Sequence, residues 1–171
     1  RKEKLHQMDS KIEEEALKLI TLYQPMARDL RLVGSILKII TYLNRIGRYG
    51  KDIAKVTFEF ENIEHFKKLI SLTKMSEIVS KMLDLVLQAY QQNDVSKINP
   101  EDLGLLDDEV DEFRYSVFRE CISYMMENPS LITAGSHYIM VARYLERCGD
   151  HACRFAEKVH YSVTGNFVEI R

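Results

Sequence analysis

Tyr42-Leu43-Asn44-Arg45-Ile46-Gly47-Arg48 returns in the second half of the chain as Tyr144-Leu145-Glu146-Arg147-Cys148-Gly149-Asp150, each time downstream of a Gln-Pro or Asn-Pro break (Gln24-Pro25 and Asn128-Pro129). A recurrence that keeps Tyr, Leu, Arg and Gly at fixed spacing indicates one supersecondary unit used twice. The differences between the copies bear on function. The second carries Glu146 and Asp150 where the first carries Asn44 and Arg48, so a site built from paired carboxylates belongs to one half.

Working outward from these stretches, apolar residues recur every three or four positions almost throughout, which is the helical period, and no segment alternates as a strand does. Leu5, Met8, Ile12, Ala16, Leu19 and Tyr23 form a first stripe that stops at Gln24-Pro25. Proline is tolerated in the first helical turn, so Pro25 is expected to open the second helix. That helix, carrying Leu30, Val33, Leu37, Ile40, Leu43, Ile46 and Ile53, is expected to reach Phe60 and span about 50 Å. The polar stretch Glu61 to His65 is expected to break it. A third stripe follows in Leu69, Leu72, Met75, Val79, Met82, Val86 and Ala89. Asn99-Pro100-Glu101-Asp102 combines a capping residue, a first-turn proline and acidic residues, a helix-start signature. The fourth helix it opens turns Leu103, Leu106, Val110, Phe113, Val117 and Tyr124 inward and ends at Asn128-Pro129. A fifth stripe through Val141, Leu145, Cys148, Ala152, Ala156, Val159 and Val163 is placed to end at Gly165. The fold class is all-α, with the first and fourth helices corresponding and the second and fifth likewise. On this reading a helix preceding the first is missing. The chain begins at Arg1 without Met, and upstream sequence is expected to have been removed or its place taken by another chain.

At 171 residues the chain suits one domain, or two small ones sharing a core, and can bury roughly 70% of its unfolded surface. Its 24 Lys and Arg nearly balance 26 Asp and Glu, which argues against a general attraction to nucleic acid or anionic lipid. An electrostatic function must be local. Cys121, Cys148 and Cys153 are odd in number and form no Cys-x-x-Cys pair, which fits a reducing cytoplasm better than a secreted scaffold. No apolar run reaches the ~20 residues that span a bilayer, and no signal sequence is visible.

At about 100° per residue, with Leu145 at the centre of the buried stripe, Glu146, Asp150, Cys153 and Glu157 fall in one column on a flank. Like charges one turn apart repel by a few tenths of a kcal/mol per pair, which a cation would relieve. On the fourth helix Asp107 and Asp111 share a flank, with Asp108 beside them. If the flanks meet, their oxygens suit a hard cation such as Mg²⁺, Ca²⁺, Mn²⁺ or ferric iron. Chance also places acidic columns on solvated helix faces in a chain this rich in carboxylates. The matching column of the second helix is Asn44, Arg48, Lys51 and Lys55, which repels cations and is either solvated or docked against an anionic surface. Glu3-x-x-His6 and Glu157-x-x-His160 have di-iron carboxylate spacing, but Glu3 and His6 lie off the apolar face. His137 and His151 are expected at the surface or boundary, and Cys148 in the core. Cys153 stands near the acidic column. No phosphate loop, Ser-His-Asp grouping or dinucleotide fingerprint occurs.

The chain resembles the PhoU family of phosphate-signalling regulators. Gln24-Pro25-Met26-Ala27-Arg28-Asp29-Leu30-Arg31 is similar to the family's Gln-Pro-x-Ala-x-Asp-Leu-Arg. Leu145-Glu146-Arg147-Cys148-Gly149-Asp150-His151-Ala152 is similar to its Leu-Glu-Arg-Ile-Gly-Asp-His-Ala. Asp107-Asp108-Glu109-Val110-Asp111, Met126-Glu127-Asn128-Pro129 and Tyr161-Ser162-Val163-Thr164-Gly165 extend the likeness over nearly the whole chain.

The resemblance implies two pseudo-symmetric three-helix bundles, residues 1–93 forming a first repeat that lacks its first helix and residues 94–171 a second. It also implies a homodimer and a cluster of iron, zinc or magnesium. Glu146 and Asp150 match the family's metal motif, and Asp107 and Asp111 its supporting helix. In the first repeat Asp9 and Glu13 hold the supporting positions, while Asn44 and Arg48 depart from the motif. The family acts without covalent chemistry in the cytoplasm, restraining a sensor histidine kinase and modulating a phosphate ABC transporter. It reaches the membrane only through these partners and does not itself contact nucleic acid. Similar domains also serve as regulatory parts of ion-transport or DNA-binding proteins. A metal-carboxylate helical enzyme is the competing class, and it requires inward-facing ligands.

Overall fold

A computed structural model describes residues 2–60 and 65–170, and they form five long helices with no strand. These are α1 (Lys2–Tyr23), α2 (Arg28–Glu59), α3 (Ile70–Gln92), α4 (Pro100–Glu127) and α5 (Ile132–Thr164), with a single 3₁₀ turn, Pro129–Leu131, leading into α5. Helix α5 is the hub. It packs against α2, α4 and α3, whereas α3 packs also on α4, and among the described residues α1 packs on α2 alone.

Local chemistry accounts for most of the boundaries. The Asn99 side-chain oxygen accepts the Glu101 N–H at 3.0 Å, satisfying one of the donors that a helix start leaves unpaired. Pro100 follows in the first turn, with Glu101 and Asp102 at the positive end of the dipole. Asn128 caps the 3₁₀ turn in the same way, accepting the Ser130 N–H at 3.1 Å. Gly165 closes α5 with a left-handed φ of 80°, its N–H reaching the Tyr161 carbonyl at 2.9 Å. Beyond it the chain folds back, and the Ile170 N–H donates to Glu157 Oε1 at 3.2 Å while the Ile170 side chain joins the core.

Pro25 does not open α2 as expected. Gln24 to Met26 are non-helical, and α2 begins at Arg28 behind Ala27. Gln24 (φ 44°) and Ala27 (φ 46°) both take positive φ; proline disfavours the α region in the residue before it, and a positive φ interrupts a right-handed helix. The break expected at Glu61 to His65 falls largely on residues 61–64, outside the described residues. His65 itself is not helical.

The stripe of α3 is buried as read, from Leu72 through Met75, Val79, Met82 and Val86 to Ala89. That of α1 is not. Met8, Ile12, Leu19 and Tyr23 are exposed and only Ala16 of the set is buried, because a helix with a single neighbour covers a narrow seam, less than the width of an amphipathic stripe. On α4, Tyr124 is exposed and Cys121 lies inward in its place. The buried side chains gather in two apolar clusters. One joins Ile39, Met82, Val86, Leu103, Phe155 and Val159, and the other Val56, Met75, Val79, Val110, Val117 and Tyr138.

Candidate functional site

Helix α5 offers Glu146 and Asp150 one turn apart, and α4 offers Asp107 and Asp111. Asp107 meets α5 at Gly149. A Cβ placed there would stand 2.8 Å from Asp107 Oδ1 and 4.0 Å from Val110 and Val79 side-chain carbons. Three helices therefore converge on a residue without a side chain, and the Asp107 carboxylate rests against bare α5 backbone. Arg114 of α4 ties the elements together, its Nε 3.6 Å from Asp111 Oδ1 and 3.9 Å from Glu146 Oε1.

Electrostatics records the same convergence. Burial pushes the Asp107 carboxyl up to about 7, reinforced in turn by the charges of Asp150, Asp111, Asp108 and Glu146. Burial also raises the Glu146 carboxyl, helped by Asp150 and opposed by Arg143, Arg147 and Arg114. Asp107 thus lies within electrostatic reach of Asp111, Glu146 and Asp150, and Glu146 within reach of Asp150.

The placement of the column on a flank, beside an apolar stripe centred on Leu145, is corrected. Leu145 is only half-buried, whereas Glu146, Cys153 and Glu157 are buried with Gly149, Ala152 and Ala156. The buried face is turned toward the carboxylates because α5 is enclosed by three helices, α2, α3 and α4. Glu157 serves the fold. Its Oε1 takes Arg154 Nη1 at 2.7 Å and the Ile170 N–H at 3.2 Å.

An arginine sheath, overlooked in the sequence, covers the acidic site. Arg143 Nη1 lies 2.8 Å from Glu146 Oε1, and Arg147 Nη1 lies 3.1 Å from Asp150 Oδ2. Arg143–Glu146, Arg147–Asp150 and Arg154–Glu157 share an i, i+3 spacing, a pattern visible in the sequence and meaningful on a helix. Glu146 Oε2 is buried and makes no hydrogen bond, its charge faced by Arg147 Nε at 3.7 Å. The donor set, all carboxylate oxygen, fits the chemistry of a hard cation. No group of three or more His, Cys, Asp or Glu among the described residues is arranged to hold a metal ion, and arginine nitrogens stand against Glu146, Asp150 and Asp111.

The other candidates resolve into structural roles. Cys148 and Cys153 are buried, and burial pushes the Cys148 thiol up to about 12 and raises that of Cys153 as well, so both pack as small hydrophobes. His151 is buried, contrary to its expected surface or boundary position. It stacks against Tyr42 and Tyr49 at centroid distances of 5.8 and 5.9 Å, with neither ring nitrogen hydrogen-bonded. Burial lowers its basicity, aided by Arg45. His137 sits at the boundary, its Nε2 3.0 Å from Glu59 Oε2. In the first half, Asn44 Nδ2 donates to Asp9 Oδ2 at 2.9 Å, so an amide–carboxylate bond stands where the second half gathers carboxylates.

These features define a helical-bundle protein built on a repeated helix, proline break and long helix, with an acidic, arginine-covered seam in its second half. The sequence matches the PhoU domain over residues 1–57 and 72–159, and the chain belongs to the PhoU family. It is 39% identical over 166 residues to the phosphate-specific transport system accessory protein PhoU homolog of Caulobacter vibrioides, covering 95% of this chain and 70% of that one. The homolog of the same description from Deinococcus radiodurans is 37% identical over 158 residues, covering 92% and 73%. The crystal structure of PhoU from Pseudomonas aeruginosa superposes with a TM-score of 0.88 at 32% identity, covering 96% of this chain and 78% of that one. No described helix is long and apolar enough to cross a membrane.

Proposed function

We propose that this chain is a regulatory domain of phosphate uptake and signalling, acting by binding protein partners rather than by covalent chemistry. Relatives named as accessory proteins of the phosphate-specific transport system support the role. The partners it would engage are a second copy of itself, a phosphate ABC transporter and a sensor histidine kinase, from the cytoplasmic side. Within it, Asp107, Asp111, Glu146 and Asp150 would hold iron, zinc or magnesium. The observation that supports the cation assignment is the crowding of Asp107, which lies against Gly149 and is pushed up to about 7 by burial and by the charges of Asp150, Asp111, Asp108 and Glu146. When bound, such a cation supplies positive charge to a crowded carboxylate cluster. Arg114, Arg143 and Arg147 compete for the same oxygens.

Two measurements test the proposal. Elemental analysis of protein purified without added metal is expected to find metal in the wild type and none in Glu146→Gln/Asp150→Asn, with Asn44→Ala/Arg48→Ala retaining it. Equal metal in the first variant and the wild type would refute the site. For the regulatory role, cells lacking the native gene should show a deregulated phosphate-responsive reporter that the intact gene restores. A reporter indifferent to the gene would remove the phosphate assignment.

A further inference from the structure

The first half holds a site of opposite charge. Asn44, Arg48, Lys51 and Lys55 lie along one face of α2, and with Gly47 and Asp52 of α2 and Leu5 and His6 of α1 they line a cleft of about 380 Å³. Spacings of four, three and four residues keep the α2 side chains on one face of the helix. Gly47 lets the walls close at one end, since a Cβ there would come within 3.0 Å of Leu5 Cδ1.

The cations of this cleft are unevenly compensated. Lys55 Nζ pairs with Asp52 Oδ1 at 3.2 Å. The Asp9 carboxylate, the other acid nearby, accepts the Asn44 amide at 2.9 Å. Among the described residues no carboxylate lies within 4.0 Å of Arg48 or Lys51. In the second half Arg114, Arg143, Arg147 and Arg154 face carboxylates, whereas Arg119, like Arg45 of α2, has none within 4.0 Å among the described residues. Arg48 and Lys51 are neighbours on the helix surface, and like charges so placed repel. A single dianion between them removes that repulsion and is held by charge-assisted hydrogen bonds. A concave wall with apolar members focuses the field on such a ligand.

We propose that this cleft binds a phosphate-class oxyanion, either the free ion or the terminal group of a small phosphomonoester. The guanidinium fork of Arg48 matches two oxygens of a tetrahedral anion, and the Lys51 ammonium serves a third as a point charge. The volume exceeds what orthophosphate alone fills and falls within the range of small-molecule sites, leaving room for the organic part of a phosphomonoester. The second half excludes such a ligand, because its equivalent positions are the carboxylates Glu146 and Asp150.

The test is calorimetric titration of the purified chain at low ionic strength with orthophosphate, phosphoserine and malonate. Saturable binding of orthophosphate or phosphoserine is expected, weakened at least about tenfold in Arg48→Ala/Lys51→Ala because two charge-assisted contacts are lost. Both residues are exposed, so the fold should tolerate the change. Asn44→Glu/Arg48→Asp, which copies the acidic pattern of the second half, should abolish binding. Lys38→Ala, an exposed charge on α2 outside the cleft, should bind as the wild type does. Tighter phosphoserine than orthophosphate assigns an organic phosphate, and the reverse order the free ion. No saturation by either phosphate, tighter malonate than both, full binding by the double alanine variant, or equal weakening by Lys38→Ala would each overturn the assignment.

Discussion

Phe155→Ala is expected to lower the free energy of unfolding by about 3–5 kcal/mol, the usual cost of emptying a fully buried aromatic site. Phe155 is 0% exposed on α5 and packs in the cluster that joins α2, α3, α4 and the returning C-terminal segment, with Tyr90 at a centroid distance of 6.0 Å. Its α5 neighbours Ala152 and Ala156 are short and cannot swing into the void. The loss is a large fraction of the roughly 5–15 kcal/mol that holds a domain folded. Thermal unfolding should show a midpoint roughly 6–20 °C lower, at about 2–4 °C per kcal/mol for a chain of this size. Phe58→Ala serves as the control. Phe58 is 74% exposed on α2, and its removal should stay within about 0.5 kcal/mol. Equal effects from the two changes would mean that the cluster around Phe155 is not the core.

Asp107→Asn is expected to stabilise the chelator-treated protein above neutral pH and to flatten its pH dependence. The folded carboxyl titrates near about 7 against 3.8 for an ordinary aspartate. Between those values the folded protein holds a proton that the unfolded chain has released. Stability therefore falls as pH rises through this window and stays lowered above it. The full shift corresponds to about 4 kcal/mol at ~1.4 kcal/mol per pH unit. Asp107 is only partly buried, and solvent screening reduces the expected effect to roughly 1–2 kcal/mol. Asparagine stays neutral throughout and keeps the shape. Urea unfolding at pH 5 and pH 8 measures the difference. Wild-type and variant curves that stay parallel between those values would show that burial and neighbouring charge do not raise the Asp107 carboxyl.

Much of this molecule is legible along the chain because helices are local objects. Caps, first-turn prolines and apolar spacing act within a few residues, so Asn99-Pro100, Gly165 and the stripe of α3 read directly from sequence to structure. The recurrence of Tyr-Leu-x-Arg-x-Gly pointed to two long helices used alike and singled out Glu146 and Asp150, while the i, i+4 spacing of Asp107 and Asp111 marked the facing flank of α4. Pro25 misled because the backbone at Gln24 and Ala27 takes positive φ, which a residue's side chain only weakly announces.

What the sequence by itself determined is the all-helical class, the helix start at Asn99-Pro100 and the stop at Gly165, and the opposite charge of the two matching columns. Tertiary structure decided which way each helix faces. Burial belongs to the number of neighbours, so α5, enclosed on three sides, took Glu146, Cys153, His151 and Glu157 inward. Helix α1, with one neighbour, left most of its stripe in solvent. The approach of Asp107 to the backbone of Gly149, and the reach of Arg114 from Asp111 to Glu146, join residues far apart in sequence whose distances only packing fixes.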